Sequence, residues 1–439
     1  MLSRRGFLTA AAGGATAAAV TTALAGCDPT SAPGVGITAV PPLDPASWPS
    51  VRAQFALTEG VANFTTFTFA SHAASVRAAI EKHRVGLDAD PYGYLGANES
   101  TLDEAVVGAA ASYLSTEATQ IAFTDSTTMG LGLLYTGVRL SPSDEVLTTE
   151  HDFYATHEAL RLRQVRDGVT VRRVSLYDEP EKASVGEIVQ RFRAALSTRT
   201  RIVAITWVHS GTGVKLPVRA IADAVNDVNR GRGADDRILL CVDGVHGFGL
   251  EGTTPAELGC DFLVSGCHKW LFGPRGTGLI WGRAESWPRF TPVIPSFAGG
   301  DQRSNVTGEP GGAPGPFATP GGYHSFEHRW ALAEAFALHQ AIGPVRVAER
   351  THALAAALKE GLATIPKVRL RTPRAMEVSA GIVCCEVERY SAREAMARLR
   401  DSKVLASATP YATPYLRFGP SILTSETDVE TALAAVRAL

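Results

Sequence analysis

Short apolar runs alternate with longer stretches whose apolar positions recur at helical spacing over most of the chain. The runs predict strands at Gln120–Thr124, Glu145–Thr149, Thr170–Ser175, Arg201–Trp207, Arg237–Val242, Asp261–Val264 and Gly278–Gly282. The helical pattern predicts helices at Ala73–Arg84, Thr101–Leu114, Thr127–Val138, Tyr154–Asp167, Val185–Leu196 and Arg219–Asn229. Strand–helix–strand repetition of this kind implies a mainly parallel sheet covered by helices on both faces, an α/β fold. Residues 283–323 read as Gly/Pro-rich loop, and a long helix at Phe326–Gly343 leads into a smaller C-terminal α+β unit. The expected organisation is thus a signal at 1–27, a tether at 28–50, a large domain at 51–325, and a linking helix with a small domain at 326–439.

Polar residues that can do chemistry fall at the strand ends. Ser126-Thr127, His151, Ser210, Asp243 and Lys269 each follow the C-terminal end of a predicted strand. Ligands of open α/β sheets lie outside that edge, so five such residues converging there predict a site. Lys269 is the most informative. The chain has 42 basic residues, of which only 7 are lysine, and this one ends a buried strand in Ser265-Gly-Cys-His-Lys-Trp-Leu-Phe-Gly-Pro-Arg-Gly-Thr-Gly278. A desolvated amine loses its proton readily and attacks carbonyls. Twenty-six residues earlier, Asp243 ends another apolar strand in Cys241-Val-Asp-Gly-Val-His-Gly-Phe-Gly249. A Schiff-base lysine and an aspartate for a pyridinium nitrogen are the protein's share of pyridoxal phosphate chemistry. Ser126-Thr127-Thr128 opens a helix, where free amides and hydroxyls favour a phosphate.

Charge and the N-terminus narrow the class. A formal charge of −2 without a basic stripe gives no electrostatic case for nucleic acid. No apolar run of 18 residues follows the N-terminus, so a soluble body is expected. Ser3-Arg-Arg-Gly-Phe-Leu8 resembles a twin-arginine export signal, and Leu24-Ala-Gly-Cys27 a lipobox in which Cys27 is acylated. That combination predicts an exported protein held at the outer side of the cytoplasmic membrane, or in the periplasm, by a lipid anchor only. An Ala-x-Gly cut would instead release a soluble secreted protein, and a fortuitous match would leave it cytosolic. The remaining five cysteines lack framework or metal-site spacing and read as buried thiols, with no metal expected.

His268-Lys-Trp-Leu-Phe-Gly-Pro-Arg-Gly276, Val242-Asp-Gly-Val-His246 and Thr148-Thr-Glu-His-Asp152 together resemble the class-V aminotransferase family of fold-type-I PLP-dependent enzymes, in its isopenicillin-N-epimerase-like branch. The resemblance runs from about Val61 to the C-terminus. It implies pyridoxal 5'-phosphate bound covalently by Lys269, which also moves the proton at the substrate α-carbon. It implies Asp243 on the pyridine nitrogen, His246 on the phenolic oxygen, and a phosphate cup of Ser126, Thr127 and Thr128 completed by Ser265 or Gly266 with His268. His151 is the residue implied to stack on the ring, with Phe153 or Tyr154 as alternatives. Where relatives place an asparagine against the cofactor, Trp207-Val-His-Ser-Gly-Thr-Gly213 has none, and Ser210 or Thr212 is the substitute. Arg417 in Tyr415-Leu-Arg-Phe-Gly-Pro420 is implied to bind the carboxylate of an amino-acid-like small-molecule substrate. A homodimer is implied, with Phe326-Glu-His-Arg-Trp330 where relatives reach a phosphate across the interface.

The implied reaction is α-carbon chemistry, epimerase- or aminotransferase-like. A C–S or other β-eliminating lyase is the alternative, and a non-catalytic ligand-binding lipoprotein on the same fold a third. Desulfuration by a persulfide needs a loop cysteine ahead of the carboxylate arginine, and none lies between Glu386 and Arg417.

Overall fold

The computed structural model describes residues 40–297 and 313–439; the expected signal, with Cys27 and most of the tether, lies outside the described residues. Ser47 at the end of that tether caps a helix, Trp48–Ala53, through Ser50 N–H. A two-residue strand β1 (Ala62–Asn63) follows.

The main sheet is built from β2 (Ile121–Thr124), β3 (Glu145–Thr149), β4 (Thr170–Val174), β5 (Thr200–Thr206), β6 (Leu239–Asp243), β7 (Phe262–Gly266) and β8 (Gly278–Gly282). Its spatial order is β2-β8-β7-β6-β5-β3-β4, and β8 alone runs antiparallel to its neighbours. Six C-terminal strand ends therefore share one edge. Alternation divides each strand between two cores, as the period of two requires. Val203, Ile205, Leu240 and Val242 face one helical layer, while Ile202, Ala204, Leu239 and Cys241 face the other. Doubly covered strands read as continuous apolar runs, which is why they stood out in the sequence.

Strand starts and ends agree with expectation within about two residues, and the helix Tyr154–Asp167 coincides with it. Two helices are longer than their patterns suggested, and the one expected at Ala73–Arg84 runs on to Ala89. Pro91–Leu114 begins ten residues before Thr101, N-capped by the Asp90 carboxylate on Gly93 N–H with Pro91 in its first turn. Gly93, Gly96 and Asn98 are poor helix formers, so packing against the helix Phe326–Ile342 supplies what propensity does not. Gly130 in the helix Thr127–Gly137 lets it lie directly on β7: a Cβ there would sit 2.5 Å from Val264 Cγ1.

The second sheet comprises β9 (Val368–Leu370), β10 (Val383–Val387), β12 (Ser407–Ala408) and β13 (Leu416–Phe418), in the antiparallel order β12-β13-β10-β9. It shares a core with the helices Pro344–Ala363, Ala392–Asp401 and Glu426–Ala438. Ala62 and Phe64, grouped by sequence with the large domain, pack in this core because β1 pairs in parallel with β11 (Val404–Leu405). The helix Phe326–Ile342, grouped with the small domain, buries Trp330, Leu332 and Phe336 in the large-sheet core. Among the described residues no helix is long and apolar enough to cross a membrane.

Candidate active site

Between the C-terminal strand edge and the second sheet lies a cavity of about 150 Å³, walled by Lys269, His246, Thr206, Ser210, Arg417, Phe67 and Phe153 among others. Lys269 enters it from the turn after β7. That turn is pinned by Cys267 N–H on Thr277 O and Gly273 N–H on Cys267 O. Loss of solvation lowers the Lys269 amine to about 8; Asp243 opposes the shift and Arg417 adds to it.

Asp243 is 1% exposed at the end of β6. Its Oδ1 accepts from Val245 N–H at 3.0 Å, while Oδ2 is buried without a hydrogen-bond partner. Burial outweighs both that bond and Lys269, raising the carboxyl to about 7. A buried carboxyl with one lone oxygen is expensive unless a donor meets it, so it marks where a ligand donor belongs.

His246 accepts from Trp270 Nε1 at its Nδ1, 3.2 Å away. The indole can only donate, so the proton of the neutral imidazole is on Nε2. Burial, together with Lys269 and Arg417, holds the ring well below its usual basicity. His246 thus offers one N–H to the cavity that it also lines.

The helix start at Ser126 is a cap turned to internal use. Ser126 Oγ accepts from Met129 N–H at 3.1 Å, and Thr127 Oγ1 accepts from Gly266 N–H at 2.7 Å. What remains for an anion is the first-turn amides, the exposed Thr128, and His268, whose Nδ1 is buried and unpartnered. Ser265 departs from expectation. It is fully buried and donates to Gly266 O at 3.0 Å, because its place in β7 turns the side chain into the sheet's interior. It lies beneath the cup, not on its surface.

His151, expected to stack, is half-buried and stacks against Tyr177, with centroids 4.0 Å apart and planes 7° off parallel. The alternatives Phe153 and Tyr154 are exposed, although Phe153 borders the cavity. Tyr177 is held in turn by His209 Nδ1 at 2.8 Å and Thr212 Oγ1 at 3.0 Å. Thr212 is thereby occupied, and of the two expected substitutes only Ser210 reaches the cavity. Asp152 ties β3 to β5 by accepting from Thr148 Oγ1, Thr149 N–H and Thr206 N–H, all at 2.7 Å.

Arg417, on β13, is 7% exposed and spans the two sheets. Its Nη1 donates to Ser210 O at 2.9 Å and its Nε to Ser407 Oγ at 3.1 Å, with the guanidinium 4.7 Å over the Phe67 ring. Sequence reading missed Tyr177, His209, Trp270, Phe67 and Tyr411. Of these, only Trp270 carried a signal, its place beside Lys269.

The family model described as "Aminotransferase class-V" matches residues 102–417. The chain is 24% identical to an isopenicillin N epimerase of Streptomyces clavuligerus, over 90% of this chain and 98% of that one. It is 30% identical to a probable cysteine desulfurase of Mycolicibacterium paratuberculosis over 57% of this chain, a match spanning 35% of that protein. A variant of C-DES with glycine covalently linked to its PLP cofactor superposes with a TM-score of 0.78 at 20% identity, covering 88% of this chain and 98% of that one. An apo cysteine desulfurase from Thermococcus onnurineus superposes at 0.75 and 18% identity, covering 89% and 97%. The fold is the fold-type-I PLP-dependent one. The residues present suit that cofactor: the lone Asp243 oxygen could meet a protonated ring nitrogen, the His246 N–H a phenolate, and the Thr127–Thr128 amides a phosphate.

Proposed function

Because the chain belongs to the class-V aminotransferase family and is a PLP-dependent enzyme, we propose that it acts at the α-carbon of an amino acid or similar small amine, in the manner of an epimerase or aminotransferase. The observation that carries this reading is one cavity lined by Lys269 and Arg417, with the buried Asp243 in electrostatic reach of Lys269. The match to an epimerase over nearly its whole length supports it.

Pyridoxal 5'-phosphate, when bound, supplies an electron sink for charge developing at the substrate α-carbon. The chain does the rest. Lys269 anchors the cofactor through Nζ and, once freed, moves the proton at that carbon; its lowered basicity keeps a useful fraction of the amine unprotonated near neutral pH. Asp243 holds a proton on the ring nitrogen, and His246 donates from Nε2 to the phenolic oxygen. The Thr127 and Thr128 amides, the Thr128 hydroxyl and His268 hold the phosphate at the helix start that Ser126 caps, where the aligned peptide dipoles favour negative charge. Tyr177 covers one face of His151, and the other face would be the one available to the cofactor ring. Arg417, fixed by Ser210 and Ser407, orients the substrate carboxylate.

A β-eliminating C–S lyase is the second reading, favoured by the partial match to a desulfurase. The cysteines weigh against its persulfide form. Cys384 and Cys385 are fully buried, and burial raises the Cys384 thiol to about 12 and Cys385 further still. The N-terminal motifs support export by the twin-arginine route, with a lipid on Cys27 as the only membrane attachment, and the family resemblance supports a homodimer. The test is to purify the protein with PLP and follow the cofactor's absorbance as amino acids are added, then identify the products. Inverted substrate supports epimerisation and a keto acid transamination. Pyruvate with sulfide from cysteine would replace this reading by the lyase, and a protein that takes up no PLP would refute it.

A further inference from the structure

One hairpin grips Ser210 from two sides. Arg417 of β13 donates to the Ser210 carbonyl at 2.9 Å, and Tyr411, from the loop joining β12 to β13, meets the Ser210 hydroxyl at 2.6 Å. The loop is closed at its base: Thr409 N–H donates to Tyr415 O at 2.9 Å and Tyr415 N–H to Thr409 Oγ1 at 2.8 Å. Tyr411 is thus carried on a tied loop with Pro410 at the cavity wall. Its ring lies over Gly211, where a Cβ would come within 3.0 Å of two ring carbons, and Phe153 meets it edge-on at 6.3 Å. Gly211 is therefore the residue that lets this ring come down onto the cavity rim.

Counting donors shows what the arrangement suits. Arg417 Nη1 and Nε are committed to the protein, and Nη2 has no hydrogen-bond partner among the described residues. Of the two hydroxyl protons of Ser210 and Tyr411, one is spent in the bond between them and one is left. Burial keeps the tyrosine protonated, its hydroxyl raised to about 12. The free N–H groups of Arg417 Nη2 and one hydroxyl proton, both anchored on Ser210, match the two oxygens of a carboxylate.

We propose that Tyr411 is a substrate-contacting residue, which with Ser210 completes the carboxylate cradle begun by Arg417 and makes the enzyme selective for amines that carry an α-carboxylate. This rests on the α-carbon reading above and names the substrate class of that same site.

The test titrates PLP-loaded wild type, Tyr411→Phe and Ser210→Ala with the proteinogenic amino acids and their D forms, and with the corresponding decarboxylated amines. Cofactor absorbance reports binding, and steady-state turnover is measured on the best binder. Tyr411→Phe keeps the ring and loses one hydroxyl. The expected result is a KM for the amino acid raised about 10- to 100-fold, as for a lost hydrogen bond to a charged group, with kcat changed by less than about threefold. In Tyr411→Phe, PLP affinity and affinity for the decarboxylated amine stay as in wild type, and Ser210→Ala raises the KM for the amino acid alike. An unchanged KM in both variants, with wild type binding PLP and amino acids, overturns the role of Tyr411 and leaves the α-carbon reading standing. A wild type that binds PLP and responds to no amino acid overturns both.

Discussion

Replacing Asp243 by asparagine should stabilise the PLP-free protein while disabling the enzyme, and the gain should depend on pH in a defined way. The amide keeps the shape of the carboxyl and can still accept from Val245 N–H. What it removes is an ionisable group raised from 3.8 to about 7 by burial. A carboxyl that holds its proton more tightly folded than unfolded favours the folded state fully below about pH 4, and that contribution is lost as pH rises through about 7. About three pKa units correspond to about 4 kcal/mol, an upper bound on the variant's advantage. Part of it is given back at Lys269, which loses an attractive partner and becomes still less basic. The assay is thermal unfolding of wild-type and Asp243→Asn protein without cofactor, in steps from pH 4 to pH 8. The Tm difference should grow in favour of the variant up to about pH 7 and then level off. A difference independent of pH, or one favouring wild type throughout, would refute the reasoning. With PLP, turnover of the variant should fall by about 100-fold or more, since the ring nitrogen no longer meets a carboxylate.

Lys269→Ala should abolish covalent retention of PLP and lower turnover by about 100- to 10,000-fold, seen as loss of the protein-bound absorbance after gel filtration. Arg417→Lys keeps the charge but not the fork that spans Ser210 and Ser407, so KM should rise by about tenfold or more in steady-state assays. Gly247→Ala places a Cβ 2.1 Å from the Trp207 ring and should destabilise the protein by about 1–3 kcal/mol in urea unfolding, with the site chemistry intact. The five described cysteines are all buried, so thiol alkylation of the folded enzyme should leave activity unchanged, a result a persulfide-forming enzyme would not give.

The sheet was legible in the sequence because strands covered on both faces are apolar throughout and stop where the chain must turn polar. The same abruptness marked the strand ends, and with them Asp243 and Lys269. Less legible was what depends on side-chain direction. Ser265 is one residue from the amide that Thr127 accepts from, yet its place in the strand turns its hydroxyl away from the cup. Tyr177, His209 and Tyr411 come together with His151 and Ser210 only through contacts 26 to 201 residues apart. No local pattern announces such pairings. The start of the helix Pro91–Leu114 was different: Asp90 before Pro91 is a readable cap, outweighed in the sequence by the glycines that follow it.

The reversal of β8 bears on how this enzyme ages. The segment carrying Lys269 is the connection between two hydrogen-bonded neighbours, β7 and β8, and its ends are joined by Cys267 N–H on Thr277 O. Both flanking strands are fully buried. Amide protons of β7 and β8 should therefore exchange with solvent only through opening of the sheet as a whole. Local breathing offers no route by which the lysine could stray from Asp243. Irreversible inactivation should then follow the global unfolding rate, and its half-life should lengthen with any substitution that slows sheet opening, however far from the cofactor that substitution lies.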